Sequence, residues 1–142
     1  MMKIGNYFVR LILSSPLHAL MSKNTLLIHF TGQKSGKKYI TPVNYSGAGK
    51  KVWITSQPQR TWWRNFEKHP DVQLTLSGKL VSGSAAVLKA GQAAAEGLEN
   101  FLRPNPNYAK YYQVSADAAG DFLREDLLKA AEGLVVIEVA LE

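Results

Sequence analysis

Strand-like runs follow one another along this chain with only short turns between most of them, and that spacing leaves few ways to fold. Residues 26–30, 38–45, 51–56, 71–76, 79–88 and 134–139 are short, rich in apolar and β-branched residues, and bounded by turn signals. Gly47-Ala48-Gly49 is a strong hairpin signal, two runs lie around Ser77-Gly78, and the residues around Gln33-Lys34-Ser35-Gly36 join the first two runs. A doubly wound sheet needs a helical crossover after nearly every strand, and these runs do not have one. The pattern therefore predicts an α+β fold of about six mainly antiparallel strands with peripheral helices. Closing the strands into a barrel is the economical way to hide their edges.

The helices fit around that frame. Residues 59–68 read as a short helix that Thr61 can cap and Pro70 stops. In residues 90–102, Ala94, Leu98, Phe101 and Leu102 share one face, and Pro104 and Pro106 then break the chain. Ser115 reads as the start of a helix carrying Ala119, Phe122, Leu123 and Leu127 inward, closed by Gly133. Residues 1–22 read as a helical segment, with Ile4, Phe8, Leu11 and Ile12 opposite Lys3, Asn6 and Arg10, and Pro16 opening a second turn. Its apolar stripe suits either packing on the core or a basic helix resting on an anionic membrane surface. Arg10 interrupts the apolar stretch that a signal peptide would need. No apolar run approaches the roughly 20 residues needed to cross a bilayer. A single domain over residues 1–142 is expected, with no internal repeat or linker.

Charge is divided unequally. Residues 1–66 hold ten Lys and Arg and no acid, whereas residues 67–142 hold seven Lys and Arg against eleven acids, giving +10 and −4. A basic half on a small domain attracts something anionic. The chemistry that could exploit this is narrowed by what is missing. There is no cysteine, hence no disulfide, thiolate metal site or cysteine nucleophile, which is compatible with a cytoplasmic setting. His18, His29 and His69 are far apart and have no carboxylate at ligand spacing, so no metal is expected. Phosphate-binding and nucleophile-elbow motifs are absent. Nucleic acid is not an expected partner, because the basic residues gather in a turn and its adjoining loop without a binding motif.

Two elements remain as candidate binding surfaces. In Gln33-Lys34-Ser35-Gly36-Lys37-Lys38, backbone N–H groups, a hydroxyl and three ammonium groups can converge on a phosphate or carboxylate. In Trp62-Trp63-Arg64-Asn65-Phe66, adjacent Trp residues point about 100° apart on a helix, so one can pack inside while the other lines a groove. Asn65 is poorly placed in a helix unless its amide has a partner.

Taken in order, TGQKSGKKYITPVNY, VWITSQ and TWWRNFEKHPDVQL resemble the deazaflavin-dependent nitroreductase family, flavin and deazaflavin oxidoreductases of split β-barrel, FMN-binding-protein-like fold. The resemblance implies the reduced 8-hydroxy-5-deazaflavin coenzyme (F-420), whose tail carries a phosphate and a polyglutamate. It assigns Lys34, Ser35, Lys37 and Lys38 to that tail, and Thr41, Pro42, Val43 and Asn44 to the strand lying against the ring. Ser56, Gln57 and Arg60 match the loop over the phosphate, and Trp63 with Asn65 the helix that follows. Pro42 fits, because a missing ladder donor is tolerated where a ligand faces the backbone. The implied function is hydride transfer to a small-molecule redox acceptor: a nitro compound, quinone or activated alkene. Tyr108, Tyr111 and Tyr112 are the expected catalytic wall of the acceptor pocket, where a phenol can give a proton. Related proteins use FMN in the same groove, which leaves an FMN-dependent reductase, or a non-catalytic binder of a flavin-like or lipid-like ligand, as alternatives. A homodimer and a peripheral membrane contact are left open.

Overall fold

The computed structural model describes residues 25–32 and 36–142. The helical segment expected over residues 1–22, with its proposed membrane face, and Lys34 and Ser35 of the basic turn lie outside the described residues.

Strands β1 (Thr25–Thr31), β2 (Lys38–Ala48), β3 (Lys51–Ser56), β4 (Asp71–Leu76), β5 (Lys79–Lys89) and β6 (Val135–Leu141) form a closed barrel in the order β1-β2-β3-β6-β5-β4. Every neighbouring pair is antiparallel. The turns explain the hairpins. Ser77 and Gly78 both take positive φ, 51° and 80°, which is the twist that a two-residue hairpin requires. Between β2 and β3 the turn is Gly49-Lys50, because β2 continues through Gly47 and Ala48, two positions expected to lie in the turn.

The barrel has apolar packing on both sides of β3 and β6. Val52 and Ile54 point inward with Ile137, Val139, Leu26, Ile28 and Leu74, and Trp63 and Phe66 close that inner core. Trp53 and Val136 point outward into a second core. Two-sided burial is why these strands read as continuous apolar runs instead of alternating ones. Helix α2 (Gly91–Leu102) supplies the outer core with Ala94, Ala95, Leu98, Phe101 and Leu102, and α3 (Arg124–Ala131) adds Leu127 and Ala131. Burying a side chain of Leu or Phe size stabilises by about 1.5–3 kcal/mol, so this outer layer ties the helices firmly to β3 and β6.

Two local expectations are corrected. The Trp-rich segment is a 3₁₀ turn, Trp62–Arg64, leading into α1 (Asn65–Lys68), and Thr61 occupies the cap position without a side-chain hydrogen bond. Helix α3 begins at Arg124, not Ser115, and Ala119 and Leu123 are exposed. The preceding residues form a turn in which the Asp117 carboxylate accepts from the N–H groups of Ala119 (2.9 Å) and Asp121 (3.0 Å). A side chain that bonds its own backbone in this way competes directly with helix formation.

Candidate functional site

The ladder between β2 and β3 stops short of the strand ends. β2 pairs with β1 along its length from Lys38↔Thr31 to Asn44↔Thr25, but with β3 only from Ala48↔Lys51 to Tyr45↔Ile54. Beyond that last rung β3 continues along β6, with Thr55 opposite Val136 and Ser56 opposite Val135. Thr41, Pro42, Val43 and Asn44 are therefore paired with β1 and with no second strand among the described residues. Thr41, Pro42 and Val43 are half-buried and Asn44 is exposed. A strand that lacks a second neighbour presents backbone donors and acceptors to whatever enters the opening. Pro42 sits where a missing donor costs the ladder least.

The basic turn stands at the start of the same strand. The Gly32 N–H donates to the Lys37 carbonyl at 2.8 Å and the Gly36 N–H to the Gly32 carbonyl at 3.0 Å. Gly36 takes φ +69°, a conformation that L side chains rarely adopt, so the turn depends on this glycine. Lys37 and Lys38 are exposed beside it. Across the opening, Ser56 is half-buried at the end of β3, and Gln57 and Arg60 are exposed in the loop that follows. The Arg60 N–H donates to the Gln57 carbonyl at 3.0 Å, which folds the loop back on itself. Lys38 and Arg60 form no ion pair among the described residues; the four ion pairs there involve Lys51, Lys89, Arg103 and Arg124.

Trp63 is bonded to this loop, and Asn65 to the turn that follows it. Trp63 is only 2% exposed, and its Nε1–H donates to the Gln57 carbonyl at 3.1 Å. Its ring belongs to the inner core, with the Arg64 guanidinium 4.9 Å and the Lys89 ammonium 5.7 Å from its centre. The half-buried Asn65 donates through Nδ2 to the Trp62 carbonyl at 2.8 Å, the partner its position demands. Trp62 remains half-buried among Phe30 and Phe66. Of the adjacent pair, then, one ring is enclosed and the other lies at the rim.

The three tyrosines occupy a 3₁₀ segment, Pro106–Tyr112, and separate clearly by environment. Tyr111 is 73% exposed, with the Lys110 ammonium 5.3 Å from its ring centre. Tyr108 is half-buried against Phe101 at 6.4 Å. Tyr112 stands edge-on to Phe101 at 5.9 Å, and its hydroxyl lies 3.0 Å from Thr55 Oγ1. Tyr112 is thus the tyrosine placed at the strand end where the barrel opens. Thr55 was not legible as a site residue. Its only signal is that it alternates with Trp53 and so shares the outer face of β3.

The described residues contain no cluster of three or more His, Cys, Asp or Glu that could hold a metal. A cavity of about 310 Å³ at the Gly49-Lys50 end of the barrel, lined in part by Tyr45, Ser46, Lys51 and Asn105, includes none of the expected coenzyme residues. The opening between β2 and β3 is therefore the better candidate. Its donor set fits an aromatic ring with an anionic tail: a Thr41–Asn44 backbone paired on one side only, a glycine-dependent turn, and cations from Lys37, Lys38 and Arg60.

Residues 9–119 match a family model described as F420H(2)-dependent quinone reductase. No curated protein matches the chain. Among solved structures it is similar to an F420-H2 dependent reductase, at 21% identity over 82% of this chain and 94% of that one, with TM-score 0.52. A structure described as a domain-swapped dimer is similar at 18% identity over 96% of both chains, with TM-score 0.58. A FAD-binding protein from Mesorhizobium loti is similar at 10% identity over 90% of this chain and 88% of that one, with TM-score 0.52. At such identities these likenesses speak for the fold alone, a six-stranded split barrel. The family match spans well over half of the chain, and its coenzyme agrees with the donor set at the barrel opening. The chain belongs to the F420H(2)-dependent quinone reductase family and is a deazaflavin-dependent oxidoreductase of split-barrel fold.

Proposed function

We propose that the protein reduces a quinone-class acceptor at the opening between β2 and β3, with the deazaflavin ring along Thr41–Asn44 and the anionic tail on the basic turn. The observation that carries this reading is the end of the β2–β3 ladder at Tyr45↔Ile54, with cations at one side and Tyr112 at the other. Bound there in reduced form, the coenzyme supplies a hydride; the protein supplies position and a site of low water content. Lys37, Lys38 and Arg60 neutralise the tail, with Lys34 and Ser35 assigned to the same task. Backbone groups of Thr41, Val43 and Asn44 hold the ring edge, and Pro42 lets the ring approach the strand without a competing donor. Ser56 and Gln57 line the far side, and Trp63 and Asn65 keep that loop in place. Tyr112 faces the acceptor and gives it a proton, while Tyr108 and Tyr111 form the outer wall.

Fluorescence titration tests the reading. The deazaflavin coenzyme is expected to bind more tightly than FMN, and tighter binding of FMN would reassign the coenzyme while leaving the barrel intact. Lys38→Ala and Arg60→Ala are each expected to weaken coenzyme binding about 5-fold, as loss of one charge-assisted contact does. The parent's affinity is expected to fall steadily with added salt, since exposed charges are screened over about 8–10 Å at physiological ionic strength. Unchanged affinity in both variants would place the anion site elsewhere. Steady-state rates with a quinone, a nitroaromatic and an activated alkene identify the acceptor class.

Two finer proposals concern partners. The structurally similar domain-swapped dimer supports a homodimer, which sedimentation equilibrium decides. No helix among the described residues is long and apolar enough to cross a membrane. Contact of the basic residues 1–22 with an anionic membrane surface, from a cytoplasmic location, is tested by co-sedimentation with phosphatidylserine vesicles.

A further inference from the structure

We infer that Thr55 is a positioning residue that presents the Tyr112 phenol to the acceptor with its proton directed into the opening, an inference that rests on the oxidoreductase reading above. Thr55 is the first residue of β3 beyond the last rung shared with β2, and β6 still holds its backbone through Val136. Its side chain is therefore rigidly based yet stands at the mouth of the site. Tyr112 is fixed in complementary ways. Its ring leans on Phe101, which is 1% exposed, at an interplanar angle of 78°. The next residue, Gln113, takes a left-handed conformation (φ 58°, ψ 38°) that ends the 3₁₀ segment. The Val114 N–H then donates back to the Ala109 carbonyl at 3.0 Å. Packing thus fixes the ring, and the 3.0 Å contact with Thr55 fixes the hydroxyl. Among the described residues, Tyr112 is the one of the three tyrosines whose hydroxyl meets a side-chain partner.

The chemistry of a paired hydroxyl explains why this matters. A phenol has one proton, and its oxygen can accept while that proton is donated elsewhere. When Thr55 Oγ1–H donates to the Tyr112 oxygen, the phenol proton is left for the acceptor. Reduction of a quinone to a hydroquinone takes two electrons and two protons. The reduced coenzyme, when bound, would supply both electrons and one proton as hydride and release its ring N–H proton to water; the phenol O–H breaks to provide the second proton that the acceptor takes up. The resulting phenolate accepts a hydrogen bond from Thr55 and recovers a proton from water, so Tyr112 ends neutral. A threonine on a strand has a restricted χ1, which holds Oγ1 in one direction better than serine would.

The test compares Thr55→Val, which keeps the shape and removes the hydroxyl, with Thr55→Ser and Tyr112→Phe. Coenzyme affinity is expected to stay within 2-fold of the parent in all three. Turnover of a quinone is expected to fall about 100-fold in kcat, with little change in KM, for both Thr55→Val and Tyr112→Phe, the lower end of what a positioned proton donor contributes. The double variant is expected to be no slower than Tyr112→Phe alone, and Thr55→Ser to recover most of the rate. A second readout needs no coenzyme: in protein labelled at tyrosine Cζ, the Tyr112 carbon resonance is expected to shift in Thr55→Val and not in Thr55→Ser. Thr55→Ala serves in place of Thr55→Val if the latter does not fold, with the same expectations. A parent that reduces quinones while the hydroxyl-free variants match it, or lose rate additively, overturns the inference alone. A parent that neither binds the coenzyme nor reduces quinones overturns the functional reading and the inference together.

Discussion

At Gly83 the backbone of β5 passes so close to β6 that a Cβ would lie 2.7 Å from the Ala140 carbonyl oxygen and 2.8 Å from Val139 Cγ1. The obstacle includes backbone of a closed barrel, which cannot retreat without breaking rungs. Gly83→Ala is expected to destabilise by about 1–3 kcal/mol, the usual cost of overpacking. Gly97 on α2 makes an instructive contrast. Its added Cβ would meet Leu88 Cδ1 and Val136 Cγ1, each at 2.9 Å, and Val136 Cβ at 3.2 Å, but no backbone atom stands in the way. Alanine also favours a helix by about 1 kcal/mol over glycine, so Gly97→Ala is expected to cost clearly less than Gly83→Ala. Urea unfolding of the two variants checks the order. Trp63 makes a different point. Trp63→Phe keeps an apolar ring but loses the donor to the Gln57 carbonyl. A loss of about 1–2 kcal/mol in stability is expected, together with weaker coenzyme binding as the loop carrying Arg60 loosens. Equal affinity in parent and variant would show that the loop holds its shape without this bond.

At the scale of elements, the candidate opening is a disagreement between two strands about where to stop pairing. β2 has eleven residues and β3 six, so the longer strand necessarily outruns the shorter. Their ends are directed apart because β3 follows β6, while β2 follows β1. Strand runs and hairpin turns were visible in the residues, since alternation and glycine turns are local signals. The opening was not, because it depends on which strands become neighbours. The segment before α3 shows the opposite failure. Its apolar spacing suggested a helix from Ser115, but Asp117 satisfies two backbone N–H groups locally and the Ser115 N–H donates to the Asp126 carboxylate at 2.9 Å. Asp117→Ala is expected to cost about 1 kcal/mol and to raise amide exchange at Ala119 and Asp121, leaving coenzyme affinity unchanged.

Across the whole molecule, charge is segregated along the chain. Lys37, Lys38 and Arg60, all from the acid-free first 66 residues, stand beside the opening, while the acids come later, and four of them, Glu138, Glu67, Glu99 and Glu96, pair with Lys51, Lys89, Arg103 and Arg124. One titrating group links stability to pH. Burial raises the Tyr45 phenol above its ordinary value of 10.0, because the phenolate would lose hydration at the last β2–β3 rung. The folded state therefore holds this proton more tightly than the unfolded chain does. The associated stability is fully present below about pH 10 and is lost as pH rises through the folded-state value. The urea midpoint is expected to fall above pH 10 in the parent and to fall less in Tyr45→Phe. Identical alkaline profiles would mean that other groups control the transition.

By itself the sequence determined the architecture: antiparallel strands, a barrel, helices outside it, and a basic rim suited to an anionic tail. These follow from periodicity, turn chemistry and charge, which act between residues near in the chain. Its motifs also pointed to the right family and coenzyme. Tertiary structure decided matters that depend on residues far apart in sequence. It enclosed Trp63 and left Trp62 at the rim, although the two are identical side chains on adjacent residues. It separated three tyrosines that read alike, exposing Tyr111, packing Tyr108 and joining Tyr112 to Thr55 across 57 residues of chain. The physical reason is common to both cases. A residue's role is set by which surface covers it, and that surface exists only after β3, β6 and α2 have packed.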